Sequence, residues 1–402
     1  MKIHQLFSSG RHHSRLVQLD ILRGFAILLV LFTHAIVQPK DAGSWQSVLG
    51  YLRYLGPTGV DLFFVLSGFL VGGLLFKELL DTGRLNVRRF LIRRGFKIWP
   101  AYFVFIAIIF LLLNLVDSQS PSSRVLTWLP NLLHIQNYLG SPREHTWSLA
   151  VEEHFYLALP LLIMLLTARQ KPGWMSLSAL PAIAIGLFIL CALLRLYAYA
   201  NPQPYNPHFA THLRMDSLFF GVMLAYFFHF KPHKLAFAAL HRGKLLGFGT
   251  TLLLLFPMLV MKDKENLIVG TLGFIMLYVA YGCFLLAMVY TPIGYGRLGR
   301  WLDSFTARYL AFIGYFSYPV YLWHIDATRP VSWLLTWDAL SGLPLELRWL
   351  GAFITYVLAA LTVGVFFGVL VDKPSLALRD RLFPARTSTP TLQQSRSISL
   401  SD

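Results

Sequence analysis

The chain has 402 residues, of which 56% are hydrophobic and only 13% are charged. Soluble proteins carry about 25% charged residues, and the mean hydropathy here is +0.57. This composition excludes an ordinary soluble domain and predicts an all-α, polytopic helix bundle in a lipid bilayer. The formal net charge of +16 does not indicate nucleic acid, because the Lys and Arg residues fall between apolar segments, where they orient a membrane protein.

Apolar segments of the length needed to cross a bilayer, about 20 residues, predict about ten transmembrane helices. They lie at 17–37, 57–80, 98–116, 146–167, 178–200, 212–230, 245–261, 267–291, 308–327 and 348–371. Alternate loops between them are rich in Lys and Arg, beginning with the segment from Arg84 to Lys97. The positive-inside rule then places both termini in the cytoplasm. We expect no cleavable signal peptide, because the first apolar run lacks a small-residue cleavage site.

The sequence predicts one membrane domain over residues 17–374. A basic cytoplasmic tail, residues 1–16, precedes it, and a cytoplasmic tail, residues 375–402, follows it. The second tail is rich in Ser, Thr, Pro and Gln toward its end, which predicts disorder. Cys191 and Cys283 both lie within apolar runs, so neither a disulfide framework nor a metal site is indicated.

The first predicted span carries two ionisable residues, Arg23 and His34. Such groups cost several kcal/mol inside a membrane and by default suggest a functional site. They are eleven positions apart, so at about 100° per residue they share one helix face and lie about 16 Å apart. One side of this helix must therefore face a polar cavity or polar partners, and we assign His34 a chemical role.

Further polar residues of the spans gather mostly in the predicted outer half of the membrane. They are Asp61, Ser67, Trp147, Glu152, Glu153, His154, Arg214, Asp216 and His324. Membranes tolerate such groups when they pair with one another or line a water-filled cavity. Arg214 and Asp216 are equally well explained as a structural ion pair at a helix start, and His324 as an interfacial anchor. Only one of Glu152 and Glu153 can point inward.

The basic segment from Arg84 to Lys97 has two interpretations. A juxtamembrane run of cations is a topology signal and a contact for anionic lipids. It also suits a cytoplasmic helix that binds a polyphosphate, such as a coenzyme A thioester, through charge-assisted hydrogen bonds. The candidate donor-binding residues of the second interpretation are Arg89, Arg93, Arg94 and Lys97.

These motifs resemble the acyltransferase 3 family of integral membrane acyltransferases, from about Leu19 to Pro374. The resemblance rests on the pair Arg23 and His34, the second-helix stretch Gly59–Leu70, the fourth-helix stretch Trp147–Leu157 with Pro160, the stretch Ser317–His324, and the weaker match of Arg214, Asp216 and Gly221. Two positions depart from the family pattern. Lys97 stands where a second arginine is usual and lacks its bidentate fork, and Asp372 stands where members often have glutamate.

The resemblance implies an O-acyltransferase of the bacterial cytoplasmic (inner) membrane. Members move an acyl group, most often acetyl, from cytoplasmic acyl-CoA to a hydroxyl of a cell-envelope glycan, a glycolipid or a similar acceptor. Acyl-CoA is then a donor co-substrate, with no permanently bound cofactor and no metal. Some members carry a C-terminal hydrolase-like domain that this sequence does not show, so we expect action alone or with a separate envelope-biosynthesis partner.

The expected mechanism makes His34 the general base on the acceptor hydroxyl, a role worth about 10²–10⁴-fold in rate. Glu152 would orient His34, as a carboxylate does in a Ser-His-Asp arrangement, and Arg23 would bind the donor or stabilise the oxyanion. Candidate acceptor-side residues are Asp61, Ser67, Trp147, Glu153, Arg214, Asp216 and His324. A covalent route through Ser67 or His34 is an alternative, although direct transfer needs fewer assumptions.

Two rival functions fit the same intramembrane charges. A transporter or flippase would use the arginine, histidine and glutamate as a substrate or proton path. A catalytically inactive scaffold would only pair them. Release of free coenzyme A separates the enzyme from both rivals, because neither a transporter nor a scaffold breaks a thioester.

Overall fold

The computed structural model describes residues 17–34, 51, 53–116, 121–168, 174–262, 267–336 and 342–384. Within these ranges the chain is a bundle of α-helices without a β-strand, which confirms the predicted fold class. The helices are α1 (Val17–Thr33), α2 (Gly59–Thr82), α3 (Val87–Val116), α4 (Pro121–Leu132), α5 (Gln136–Leu139), α6 (Trp147–Ala168), α7 (Leu180–Ala200), α8 (Met215–Phe230), α9 (Ala236–Leu240), α10 (Arg242–Lys262), α11 (Phe274–Val289), α12 (Gly296–Leu302), α13 (Phe305–Tyr315), α14 (Ser317–Thr336), α15 (Leu345–Phe367) and α16 (Lys373–Leu382).

Seven helical segments of the described residues are long and apolar enough to cross a membrane. They are Gly59–Thr82, Val87–Leu113, Glu144–Thr167, Leu177–Ala200, Arg242–Met261, Val269–Val289 and Glu346–Leu382. The other three predicted spans are not among these seven: α1 has 17 residues, α8 has 16, and the ninth span is divided at Phe316 into α13, with 11 residues, and α14, with 20. All ten predicted segments therefore contain helix, while the number of crossings and the direction of insertion stay predictions.

Glycines set the closest helix crossings in the bundle. Gly68 of α2 and Gly221 of α8 lie against each other's helix so closely that a Cβ on either would collide with the partner backbone. Gly24 of α1 and Gly314 of α13 make a second crossing of the same kind. Lipid tails are as apolar as leucine, so small residues that let backbones approach are a main source of helix association in membranes. These crossings fix how the polar residues of α1 and α2 face the rest of the bundle.

The last helices continue past the predicted domain boundary at residue 374. A π turn, Gly368–Asp372, joins α15 to α16, and the segment Glu346–Leu382 has 37 residues. About 20 residues suffice to cross a bilayer, so one end of this segment projects beyond the apolar layer. Ser375 Oγ donates a hydrogen bond to the Phe96 carbonyl at 2.8 Å, which fixes α16 to α3. The rest of the predicted tail, 385–402, and the N-terminal tail, 1–16, lie outside the described residues.

Candidate active site

Three histidines from separate parts of the sequence meet at the end of α1. The ring centroid of His324 lies 5.0 Å from that of His34 and 5.1 Å from that of His145. We call His34, His145 and His324 the histidine cluster. His34 follows α1, His324 belongs to α14, and His145 lies in the 3₁₀ turn Glu144–Thr146 that precedes α6.

His34 and His324 were predicted site residues, whereas His145 was not. The only available signal was its position two residues before Trp147, at the edge of the fourth-helix motif. No group of three or more His, Cys, Asp or Glu side chains in the described ranges has the geometry of a metal site, and this includes the histidine cluster.

Backbone carbonyls and a tyrosine hold two of the histidines in place. His145 Nε2 lies 3.1 Å from the Leu322 carbonyl oxygen, and His324 Nδ1 lies 2.6 Å from that of Tyr321. The Tyr321 hydroxyl donates to the His145 carbonyl at 2.7 Å. By contrast, His34 has no hydrogen-bond partner among the described residues and is only partly buried. Because its ring is both unbonded and partly exposed, His34 is the member of the cluster that a substrate can reach.

A second polar group, which we call the Glu152 cluster, consists of Glu152, Tyr156 and Ser67. The Tyr156 hydroxyl donates to Glu152 Oε2 at 2.9 Å and lies 2.9 Å from Ser67 Oγ. Tyr156 stands four residues after Glu152 in α6, so both side chains share one helix face. That spacing could have identified Tyr156 from the sequence, where it was not selected.

No hydrogen bond joins Glu152 to His34 within the described part of the chain. The ring that lies against His34 is His324, while Glu152 is bonded to Tyr156. The expected orientation of His34 by Glu152 therefore has no contact to support it. Glu153 faces a different direction, because it accepts a hydrogen bond from Trp99 Nε1 at 3.2 Å.

Basic side chains lie close to the Glu152 cluster. The Arg94 guanidinium stands over the Tyr156 ring, 5.3 Å from its centroid, and within electrostatic range of Arg23 and Glu152. Arg94 makes no hydrogen bond in the ranges that the structure describes, whereas Arg23 Nη1 is paired with Asp20 at 3.2 Å. Two neighbouring cations, one without a bonded acceptor, form a suitable environment for an anionic ligand.

The other basic residues assigned to the donor differ in their surroundings. Lys97 is near enough to Glu152 and Asp372 to act on both carboxyls electrostatically. Arg93 instead pairs with Asp380 of α16 at 3.0 Å and also donates to the Phe383 carbonyl. Arg89 likewise donates to the carbonyl of Pro384. Two of the four residues, Arg89 and Arg93, are thus bonded to α16 or to the two residues that follow it.

A buried network of two ion pairs connects α2, α7 and α8. Arg214 Nη2 lies 2.6 Å from Asp61 Oδ1, and Arg195 Nη2 lies 2.7 Å from Asp216 Oδ2. All four side chains are at most 5% exposed. The suggested ion pair of Arg214 with Asp216 is wrong, because each of these residues pairs with a different partner. Arg195 was not predicted as a site residue, although it is an arginine within an apolar span. The charges of Asp61, Arg214 and Asp216 are therefore satisfied inside the protein.

Aromatic and polar contacts fix Trp147 and His154 at the start of α6. The Trp147 ring stacks on Phe209, with centroids 4.8 Å apart and planes inclined by 14°. His154 Nδ1 lies 2.7 Å from Thr211 Oγ1. Both contacts join α6 to the loop that precedes α8, which carries Arg214.

Comparison with known proteins identifies the family of the chain. The model of a family described as acyltransferase domain matches residues 16–371. O-acetyltransferase OatA of Staphylococcus aureus (strain NCTC 8325 / PS 47) is 29% identical over 332 residues, which cover 76% of this chain and 49% of the relative. A protein of Staphylococcus aureus (strain COL), named provisionally as an O-acetyltransferase, is 29% identical over 364 residues, covering 86% of this chain and 55% of the relative.

The chain spans about half the length of the curated relatives that it matches. No solved structure matches it. The family match nevertheless extends from before α1 into the π turn that follows α15, and so contains the histidine cluster, the Glu152 cluster and the buried ion pairs. The chain therefore belongs to the acyltransferase-domain family.

Proposed function

We propose that the protein is a membrane O-acyltransferase that transfers an acyl group, acetyl in the first instance, from acyl-CoA to a hydroxyl of a cell-envelope glycan, a glycolipid or a similar acceptor. Family membership and relatives named O-acetyltransferases support this proposal. The observation that carries it is the presence of two polar sites in one bundle, the arginines beside the Glu152 cluster and the histidine cluster. Arg23 of α1 lies at the first site, and His34, which follows α1, belongs to the second.

The donor would enter at the arginine side. In the proposed orientation both termini are cytoplasmic, in the inner membrane of a bacterium, and the basic first third of α3 faces the cytoplasm. Arg94, which lacks a bonded acceptor among the described residues, and Lys97 would bind the phosphates of acyl-CoA through charge-assisted hydrogen bonds. Arg23 would then contact the donor or stabilise the oxyanion that forms on the thioester carbonyl.

The acceptor would react at His34. The His34 imidazole takes the proton of the acceptor hydroxyl as its oxygen attacks the thioester carbonyl. The carbon–sulfur bond then breaks, and the coenzyme A thiolate recovers the proton from His34. The remaining candidates for contact with the acceptor are Trp147, Ser67 and Glu153. The charges of Asp61, Arg214 and Asp216 are paired within the protein, so we assign these residues a structural role.

The test measures thiol release from acetyl-CoA by the full chain in lipid, with a crude cell-envelope glycan fraction as acceptor. Wild type is compared with His34→Ala and with His241→Ala, a control at an exposed histidine outside both clusters. We expect acceptor-dependent release in wild type and control, and a loss of about 10²-fold or more in His34→Ala. Mass analysis of the acetylated product then identifies the acceptor.

Equal release by wild type and His34→Ala would contradict the role of His34 as base. Absence of release from wild type with every envelope fraction would contradict acyl transfer. In that case, uptake of labelled acetyl-CoA or of labelled glycan by proteoliposomes would support the transporter.

A further inference from the structure

The His324 side chain ends in a buried nitrogen that has no partner among the described residues. His324 is 0% exposed. Its Nε2 atom makes no hydrogen bond within the described ranges, while Nδ1 faces the Tyr321 carbonyl at 2.6 Å. Most buried polar side-chain atoms in proteins have a hydrogen-bond partner, so each buried atom without one needs an explanation. Because Nε2 is fully covered, a substrate hydroxyl does not reach it, and the described side chains around it are the candidates for its partner.

The backbone carbonyls determine which nitrogens carry hydrogen. A carbonyl oxygen only accepts, so His324 bears its hydrogen on Nδ1, and the neutral ring has its lone pair on Nε2. The same reasoning applies to His145, whose Nε2 faces the Leu322 carbonyl at 3.1 Å and therefore carries the hydrogen. The remaining nitrogen of each ring is an acceptor. Two acceptors cannot pair, so His145 is not the partner of His324 Nε2.

His34 is the third ring of the cluster and the one whose tautomer no hydrogen bond to a described residue fixes. Its centroid lies 5.0 Å from that of His324, with the planes inclined by 55°. We propose that His324 is the positioning residue of the active site: in the reacting enzyme its Nε2, which has no partner among the described residues, accepts a hydrogen bond from a His34 N–H, so that the other nitrogen of His34 presents a lone pair to the acceptor hydroxyl. The catalytic consequence of this contact rests on the proposed acyl transfer.

In chemical terms, His324 takes the place that the sequence suggested for Glu152. A catalytic base needs a third group that fixes its ring and tautomer, and here that group is a neutral imidazole. When His34 accepts the hydroxyl proton, the imidazolium keeps its other N–H on His324 until the proton passes to the coenzyme A thiolate. His324 itself forms and breaks no covalent bond.

An ion pair ties together the two segments that hold His324 and His145. Arg143 lies two residues before His145, and Asp326 lies two residues after His324. Their contact is bidentate, with Nε–Oδ2 at 3.2 Å and Nη2–Oδ1 at 2.6 Å. Bidentate arginine–carboxylate pairs add geometric specificity to their charge. This fork keeps the turn before α6 against α14 and thereby holds the rings of His145 and His324 together.

The first test needs no enzymatic activity. The full chain, labelled with ¹⁵N-histidine and reconstituted in lipid nanodiscs, is studied by NMR at pH 7, and signals are assigned with His34→Ala and His324→Gln. We expect His324 to show a protonated Nδ1 and an unprotonated Nε2, and the His34 signals to move in His324→Gln. A protonated Nε2 on His324, or His34 signals that ignore the substitution, would overturn the proposal even if acyl transfer itself is not found.

The second test compares His324→Asn with His324→Gln in the thiol-release assay. The Asn amide reaches the position of Nδ1 and retains the bond to the Tyr321 carbonyl, but it places no acceptor where Nε2 was. The Gln amide oxygen reaches the Nε2 position and can accept from His34. We expect kcat to fall by about 10²-fold in His324→Asn and to recover by about tenfold or more in His324→Gln, with KM for acetyl-CoA unchanged in both.

The matched control is His208→Gln, at a histidine outside the cluster that is bonded to the Tyr199 hydroxyl at 2.8 Å. It should retain the wild-type kcat. Equal losses of kcat in His324→Asn and His324→Gln would overturn the proposal, since the acceptor at the Nε2 position would then have no effect. So would a wild-type kcat in His324→Asn.

Discussion

The ion pair of Arg195 with Asp216 is a point where one substitution should strongly destabilise the bundle. Both side chains are 0% exposed, and the charged atoms are 2.7 Å apart. Arg195 Nη1 also donates to the Leu213 carbonyl at 2.6 Å. The substitution Arg195→Met removes both bonds and leaves a buried carboxylate without its cation, a change that costs about 3–5 kcal/mol. The ratio of folded to unfolded protein should fall by roughly 10²–10³-fold or more.

A double-mutant cycle isolates the pair from other effects of the substitutions. Asp216→Asn leaves Arg195 charged and unpaired. In wild type the Ser217 N–H donates to Asp216 Oδ1 at 3.0 Å, and the amide oxygen of Asn can accept the same hydrogen bond. The double variant has no unpaired charge, so it should lose little more stability than either single variant. We therefore expect a coupling of about 3 kcal/mol, measured by equilibrium unfolding in mixed micelles followed by tryptophan fluorescence.

The control is an ion pair of the same type at the surface. Arg308 and Asp303 are 2.6 Å apart but 65% and 55% exposed, so Arg308→Met should change the free energy of unfolding by less than about 1 kcal/mol. The reasoning from burial would be refuted if Arg195→Met cost no more than Arg308→Met. Strict additivity of the two single variants would also refute it.

Three further predictions concern packing, pH and the C-terminal helix. Gly221→Ala places a methyl group against the α2 backbone and should cost about 1–3 kcal/mol in the same unfolding assay. Burial and the charge of Arg214 lower the pKa of His208 to about 4; since the unfolded value is about 6.5, protonation favours unfolding, and His208 by itself should lower the stability of the protein by about 2 kcal/mol between pH 7 and pH 5. Arg93→Gln removes the bonds to Asp380 and to the end of α16, which should cost about 1–2 kcal/mol locally and speed tryptic cleavage within α16 several-fold.

Each of these has a control within the chain. Gly186→Ala adds a methyl group in α7 at a point where no atom of the described residues lies within 4 Å, so it should leave stability unchanged or raise it by up to about 1 kcal/mol. A loss equal to that of Gly221→Ala would contradict the packing argument. His208→Gln should be less sensitive to acid than wild type. Tryptic cleavage within α16 at the wild-type rate in Arg93→Gln would show that Arg93 does not hold this helix.

Hydropathy alone determined the helical architecture of this protein. Inside a bilayer every backbone N–H and C=O must be satisfied within the segment itself, so a long apolar run can only be a helix unless it closes into a barrel. The spacing of Arg23 and His34 predicted one shared helix face, and in the structure Arg23 lies in α1 while His34 directly follows its last residue. The sequence could also select His324 and Glu152, because any ionisable residue in a span stands out.

The choice of partners was decided only by the tertiary structure. Residues two apart on a helix do not face each other, and Arg214 accordingly pairs with Asp61 of α2, while Asp216 pairs with Arg195 of α7. Glu152 bonds to Tyr156, and the ring beside His34 is His324. Which side chains become neighbours depends on where the helices cross and how each helix is rotated about its own axis. Close backbone contacts at a few glycines help to set these crossings, and a hydropathy profile does not reveal them.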